Sequence, residues 1–90
     1  MRAVTLHQDT WDTHIIVHHP EMIGFEAEVE RVVSMPTAIH ASTSVAGSFL
    51  FVNSGIVDAN GRFLRVAVGA DRSVKSAYFS SATGGSQLWP

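Results

Sequence analysis

The ninety residues contain no cysteine. That excludes a disulfide staple, a thiolate nucleophile and any cysteine-ligated metal site. It also points to a reducing compartment, because small secreted domains commonly depend on disulfides. Charge is sparse, at 16% of residues against 46% hydrophobic, which places the chain among globular and not disordered sequences. There is no excess of positive charge either: the formal net charge is −2, which counts against indiscriminate binding to phosphate backbones. Long apolar runs are missing. Phe49-Leu50-Phe51-Val52 and Ile15-Ile16-Val17 fall far short of the roughly 20 residues that cross a bilayer. Met1-Arg2-Ala3-Val4-Thr5-Leu6 carries no apolar signal core with a cleavage site, so a cytoplasmic protein with no membrane partner is expected.

What charge there is lies unevenly. Residues 1–30 hold six carboxylates, Asp9, Asp12, Glu21, Glu26, Glu28 and Glu30, against Arg2 alone. Residues 62–75 hold Arg62, Arg65, Arg72 and Lys75 against Asp71. A small domain with an acidic half and a basic half either presents a mixed solvated surface or turns its basic side to phosphate.

The length predicts a single domain over 1–90, with helical residues 9–35, a sheet over 37–81 and a tail over 82–90. Residues 2–6 read as a short strand or extended arm. Asp9 is placed to cap a helix that carries Trp11 and Ile15 at i and i+4. Pro20 ends it, since the residue before a proline is pushed out of the α region, and the same proline suits the first turn of a second helix. Met22, Phe25, Val29, Val32 and Val33 then form one apolar stripe at the helical period, with Glu28, Glu30 and Arg31 off it. Gly24 weakens that helix, and Pro36 closes it.

Beyond Pro36 the period changes. Residues 38–42 read as a short edge strand, and residues 48–53 as a strand apolar on both faces. Asp58-Ala59-Asn60-Gly61 is a turn, residues 63–68 a strand, Asp71-Arg72 a turn and residues 74–79 a last strand. Gly84-Gly85 releases a tail whose Leu88 and Trp89 are expected to pack back on the body. Two helices followed by hairpin-linked strands predict an α+β domain, its helices packed on one face of a roughly four-stranded antiparallel sheet.

Five histidines stand in the chain, three of them in His14-Ile15-Ile16-Val17-His18-His19. His14 and His18 share a helix face at a spacing that can hold a metal, yet a zinc site would need a third ligand such as Glu21 or His40. The segment also lacks the glutamate of the zinc-protease helix pattern. The bland alternative is a half-buried surface pair. His7 and His40 read as surface residues.

The run from His14 to Met22, with its His19-Pro20-Glu21, resembles a bacterial and phage family. Its members have a helix ending in His-Pro-Glu, with an earlier histidine five residues before. They continue with an amphipathic helix, a proline, three or four strands, a late Thr-Ala-Tyr-type strand and a glycine-rich, Leu-Trp-like ending. Met35-Pro36, Phe63-Leu64-Arg65-Val66, Ser76-Ala77-Tyr78-Phe79 and Gly84-Gly85-Ser86-Gln87-Leu88-Trp89 stand in the corresponding places. This looks like the phage-associated branch of the Barnase/EndoU/colicin/RelE-like (BECR) nuclease superfamily, whose fold is two helices followed by a four-stranded antiparallel sheet. The chain departs from the pattern at His18, where an arginine is frequent, and at Ser76, where threonine is usual. Histidine is not the permanent cation that arginine is, so a fixed positive charge is lost at this position; Ser76 keeps a hydroxyl.

The resemblance implies a toxin or phage-effector endoribonuclease that needs neither metal nor cofactor. Its substrate would be RNA, and an antitoxin or inhibitor protein would hold it in check. The 2′-hydroxyl of RNA attacks the adjacent phosphate, which calls for a base, an acid and donors to the developing phosphorane charge. His19 or His14 would be base or acid, Glu21 orienter or base, and Ser76 and Tyr78 phosphate-binding or acid groups. His18, Arg65, Lys75 and Ser80 would bind substrate. His14 precedes His19 by five residues, so the two need not share a face. Each residue also has a plain structural reading. Glu21 is favoured by a helix N-terminus, Tyr78 suits a core edge with a wet hydroxyl, Ser76 is an ordinary polar strand residue, and Arg65 reads as a solvated charge on an exposed sheet face. The other functions open to the chain are a non-catalytic interaction module of a phage or toxin–antitoxin system and a histidine-based metal-binding domain.

Overall fold

The computed structural model describes residues 4–42, 47–81 and 87–89. Helical structure begins after His7, whose extended backbone (φ −78°, ψ 136°) starts three consecutive segments, Gln8–Thr10, Trp11–Ile15 and Ile16–His18. Asp9, expected as the cap, lies inside the first turn instead, where its carbonyl accepts the Thr13 hydroxyl at 2.6 Å. The capping position falls to His7, and its imidazole turns away to the Ser73 hydroxyl at 3.2 Å. In the middle segment the Ile16 N–H reaches the Trp11 carbonyl, five residues back. This wide turn leaves both Trp11 and Ile15 buried. His19 then leaves the helix (φ −132°, ψ 72°), as a residue before proline must.

The second helix is shorter than the stripe predicts. Pro20–Met22 makes one tight 3₁₀ turn, and the helix proper is Glu26–Ser34. Gly24 separates the two at φ +91°, a conformation that a right-handed helix cannot contain and that glycine adopts without steric cost. The stripe still points one way. Met22, Val29 and Val32 are fully buried, Val33 nearly so, and the Phe25 ring meets that of Phe79 edge-on at 5.3 Å. Each fully buried aliphatic side chain of this kind stabilises the fold by about 1.5–3 kcal/mol.

Among the described residues five strands form one antiparallel sheet: β1 (Ala38–Ala41), β2 (Phe49–Val57), β3 (Phe63–Val68), β4 (Val74–Ser80) and β5 (Gln87–Trp89), in the order β4-β3-β2-β1-β5. The expectation of about four strands with β1 at an edge is therefore corrected. Residues 87–89, expected within a tail, pair with β1 from outside and satisfy backbone groups that an edge strand would leave open. The Gly84-Gly85 release point lies outside the described residues. Among the described residues the N-terminal arm joins the sheet through a parallel bridge, Thr5 to Ser73, at the start of β4, and Val4 and Leu6 pack against the core.

Two turns close as composition suggests. In the β2–β3 turn the Asp58 carboxylate accepts the N–H groups of Asn60 and Arg62 at 2.9 and 2.8 Å, and Gly61 takes the left-handed position at φ +77°. In the β3–β4 turn that position falls to a non-glycine, Arg72 (φ 64°).

The register sorts side chains by face, because residues directly opposite one another across antiparallel strands project to the same side. Ile39, Phe51, Val66 and Ala77 form one row, with Leu64 opposite Phe79, and this side packs against Trp11, Ile15, Met22, Val29 and Val32. The outer face carries the row Ala38, Val52, Arg65, Tyr78 and the row His40, Leu50, Ala67, Ser76. A register shift opposite Ala67 and Val68 adds one residue to β4, which lets Val74 join Ala77 in the core although three positions separate them.

Candidate functional site

β4 is an edge strand, so the junction between the two helices can reach round to its outer face. His19 occupies that junction. Its ring lies 5.4 Å, centroid to centroid, from the Tyr78 ring, with the planes inclined at 31°. Pro20 fixes the backbone just after it, and the Glu21 carboxylate returns to within 3.4 Å of His19 Nδ1. The two side chains are 33% and 53% exposed, so water and a solute can reach them. Below them Met22 is completely buried, which anchors the turn to the core.

Tyr78 stands directly opposite Arg65 on β3, while Ser76 and Ser80 lie on the same outer face one pleat repeat to either side, about 7 Å along the strand. Imidazole, carboxylate, phenol and two hydroxyls thus gather along one sheet edge. Arg65 is more deeply placed than an accessible phosphate clamp would be. It is 4% exposed, and its guanidinium carbon lies 5.9 Å above the Phe63 ring centroid, at cation–π distance. Leu50 and Val52 on the same face are also buried, so the outer face is not a bare solvated surface.

The remaining candidates lie elsewhere. His14 and His18 pack their rings on each other at 4.7 Å, and among the described residues neither side chain makes a hydrogen bond, ion pair or ring contact with His19, Glu21 or Tyr78. Lys75 holds the Asp71 carboxylate at 2.9 Å beside the β3–β4 turn. That ammonium and the N–H of Ser73 hold the Asp71 carboxyl below its ordinary value. Arg62 is likewise engaged, with Nε 2.7 Å from Asp58. Partial desolvation pulls the Asp58 carboxyl up, but the backbone and side-chain hydrogen bonds from Arg62 and the N–H of Asn60 outweigh it and hold the group low. His40, read as a surface residue, is half-buried opposite Leu50, and His7 is tied to Ser73. Among the described residues no three histidine, aspartate or glutamate side chains converge as a metal cage.

One feature escaped sequence reasoning. Leu88 and Trp89 do return to the body, but they stay 53% and 41% exposed and wall an apolar cavity of about 240 Å³ with Val4, Ile39, Phe49 and Val68. The cavity forms only once β5 pairs with β1, and no local pattern announces that pairing. No helix among the described residues is long and apolar enough to cross a membrane. No protein-family model, curated protein or solved structure matches the chain.

Proposed function

We propose that the chain is a metal-independent endoribonuclease of the toxin or phage-effector kind, acting in the cytoplasm and built on a variant of the BECR/RelE-like arrangement with one added strand. The observation that carries this reading is the contact group at the β4 edge: His19 between Glu21 and Tyr78. His19 accepts the proton of the RNA 2′-hydroxyl as that oxygen bonds to the adjacent phosphorus. Glu21 orients the imidazole and stabilises the imidazolium. The bond from phosphorus to the 5′ oxygen breaks, and the Tyr78 phenol donates a proton to that leaving oxygen. Products are a 2′,3′-cyclic phosphate and a 5′-hydroxyl. Ser76 and Ser80 donate hydrogen bonds to the non-bridging oxygens, and Arg65, on the neighbouring strand, adds positive potential beside Tyr78. With Arg62 and Lys75 both held by aspartates, few cations remain for the RNA backbone, which favours a short or partner-presented substrate over long nonspecific tracts. An inhibitor protein restrains the activity.

Incubation of purified protein with RNA in excess EDTA tests the proposal. Cyclic-phosphate ends that disappear in His19→Ala and Glu21→Gln support it, and RNA left intact at high protein concentration overturns it. A second reading, a non-catalytic interaction module, draws on the apolar cavity and the exposed Leu88 and Trp89 beside it. Intact RNA, together with a partner held through that side of the sheet, would favour it.

A further inference from the structure

The first helical stretch ends with two imidazoles that the proposed cleavage does not use. His14 and His18 are one helical turn apart, both are exposed, and their ring centroids lie 4.7 Å from each other at 59°. Among the described residues neither ring takes part in a hydrogen bond or an ion pair, so their nitrogens are open to an incoming ligand. The pair also stands in the last turns of the helical run, where unsatisfied carbonyl groups make the potential negative and favour a cation.

We propose that His14 and His18 form a divalent transition-metal site, a two-imidazole chelate on the helix surface. A tetrahedral ion bound at about 2.0–2.1 Å needs its two nitrogens about 3.3 Å apart. Rings already in contact reach that separation by rotation of their side chains, with no movement of the backbone. Because both side chains are solvent-facing, the ion enters without opening the core. No third carboxylate or imidazole of the described residues joins the pair. Glu21 is engaged with His19, and Asp12 accepts the Gln8 amide at 3.1 Å. The ion therefore keeps open positions for water or an anion. Imidazole donors select late first-row ions, with Cu²⁺ held more tightly than Ni²⁺ or Zn²⁺.

The site is tested on the full chain with metal-free buffer and Zn²⁺ or Ni²⁺ as the only additive. Calorimetric titration is expected to show one ion per chain, with a melting temperature that rises with metal concentration. His14→Ala and His18→Ala each leave a single imidazole and are expected to lose affinity on the order of a hundredfold, the contribution of a tethered second donor. His40→Ala and His19→Ala are expected to bind as the parent does. Circular dichroism of each variant separates loss of binding from loss of fold. The proposal is overturned if the parent binds no ion, or if His14→Ala and His18→Ala bind as tightly as the parent. Loss in His19→Ala alone would likewise overturn it, by placing the ion at the His19–Glu21 pair. None of these results depends on RNA cleavage, so the metal site stands or falls independently of the nuclease reading.

Discussion

The His19 imidazole lies against the Tyr78 ring at 5.4 Å while its Nδ1 is 3.4 Å from the Glu21 carboxylate, so a helix exit and an edge strand meet through one side chain. Two local rules create the encounter. Pro20 forces His19 off the helix axis, and the pleat of β4 turns Tyr78 outward between Ser76 and Ser80. Neither residue is needed to fill the core, which Met22 and Ala77 occupy beside them.

That separation of roles gives the first prediction. If His19 acts as general base, His19→Ala lowers the RNA cleavage rate by about 10²–10⁴-fold. Tyr78→Phe, which removes only the hydroxyl, lowers it by about 10²-fold or more if the phenol is the acid or an oxyanion donor. Glu21 is more than half exposed, so Glu21→Gln changes stability by less than about 0.5 kcal/mol while reducing the rate. Rates and urea melts measured on the same preparations check all three. Wild-type rates in both His19→Ala and Tyr78→Phe would remove the proposed chemistry.

Gly24 supplies a test of opposite sign for helix propensity and backbone geometry. Were residues 20–34 one continuous helix, Gly24→Ala would stabilise the protein by about 1 kcal/mol. Gly24 instead sits at φ +91°, and a Cβ there meets no atom within 4 Å, so the only penalty is conformational. A left-handed backbone costs an L-residue about 1–2 kcal/mol. Gly24→Ala is therefore expected to lower the melting temperature, and a rise would contradict the break between the tight turn and the helix.

The same glycine marks where sequence patterns stop being sufficient. The stripe from Met22 to Val33, the strands β3 and β4, and the shared face of Ser76, Tyr78 and Ser80 were all legible, because each rests on a local period. The five-residue spacing of His14 and His19 likewise warned that they need not share a face, and the structure pairs His14 with His18 instead. Non-local features were not legible. A three-residue strand such as β5 has no period to read, and its partner β1 lies more than forty residues earlier. Val74 reaches the core only through an extra residue in β4, and strict alternation from Ala77 would have sent it outward. Arg65 looks like a solvated cation in sequence, since its burial depends on what covers the outer face and not on its neighbours in the chain.

Acid stability carries the signature of the β3–β4 turn. The Asp71 carboxyl is held below its ordinary value of 3.8 by the hydrogen bond from the Lys75 ammonium and then by the N–H of Ser73. A carboxyl whose value falls on folding contributes stability at pH above its unfolded value and loses it as pH drops through the folded one. The parent is accordingly expected to exceed Asp71→Asn in stability near neutral pH, with the gap closing as pH falls below about 4. Both groups of the ion pair are more than half exposed, so added salt is expected to narrow the gap at neutral pH as well. Melting curves of parent and variant across this range check the sign. A gap that widens on acidification would show that the turn does not hold Asp71 in its charged form.

Arg72 completes that turn in a conformation costly for its type. Its φ is 64°, while its N–H donates to the Gly69 carbonyl and its own carbonyl accepts the Thr5 N–H, both at 2.9 Å. These two bonds and the parallel bridge at Ser73 hold the backbone there, since an L-residue left to itself avoids the left-handed region by about 1–2 kcal/mol. Arg72→Gly keeps both backbone bonds and removes the strain. Glycine's extra freedom in the unfolded chain offsets part of the gain. A net stabilisation of up to about 1 kcal/mol follows, equivalent to a melting-temperature rise of roughly 4–8 °C for each kcal/mol in a domain of this size. A β-branched residue suffers more than arginine in the left-handed region, so Arg72→Val is expected to lower stability. The order Gly above Arg above Val in denaturant midpoints identifies the backbone as the source of the effect. A less stable Arg72→Gly would instead mean that the arginine stem, which lines the apolar cavity beside Val4 and Trp89, contributes more than its strained backbone costs.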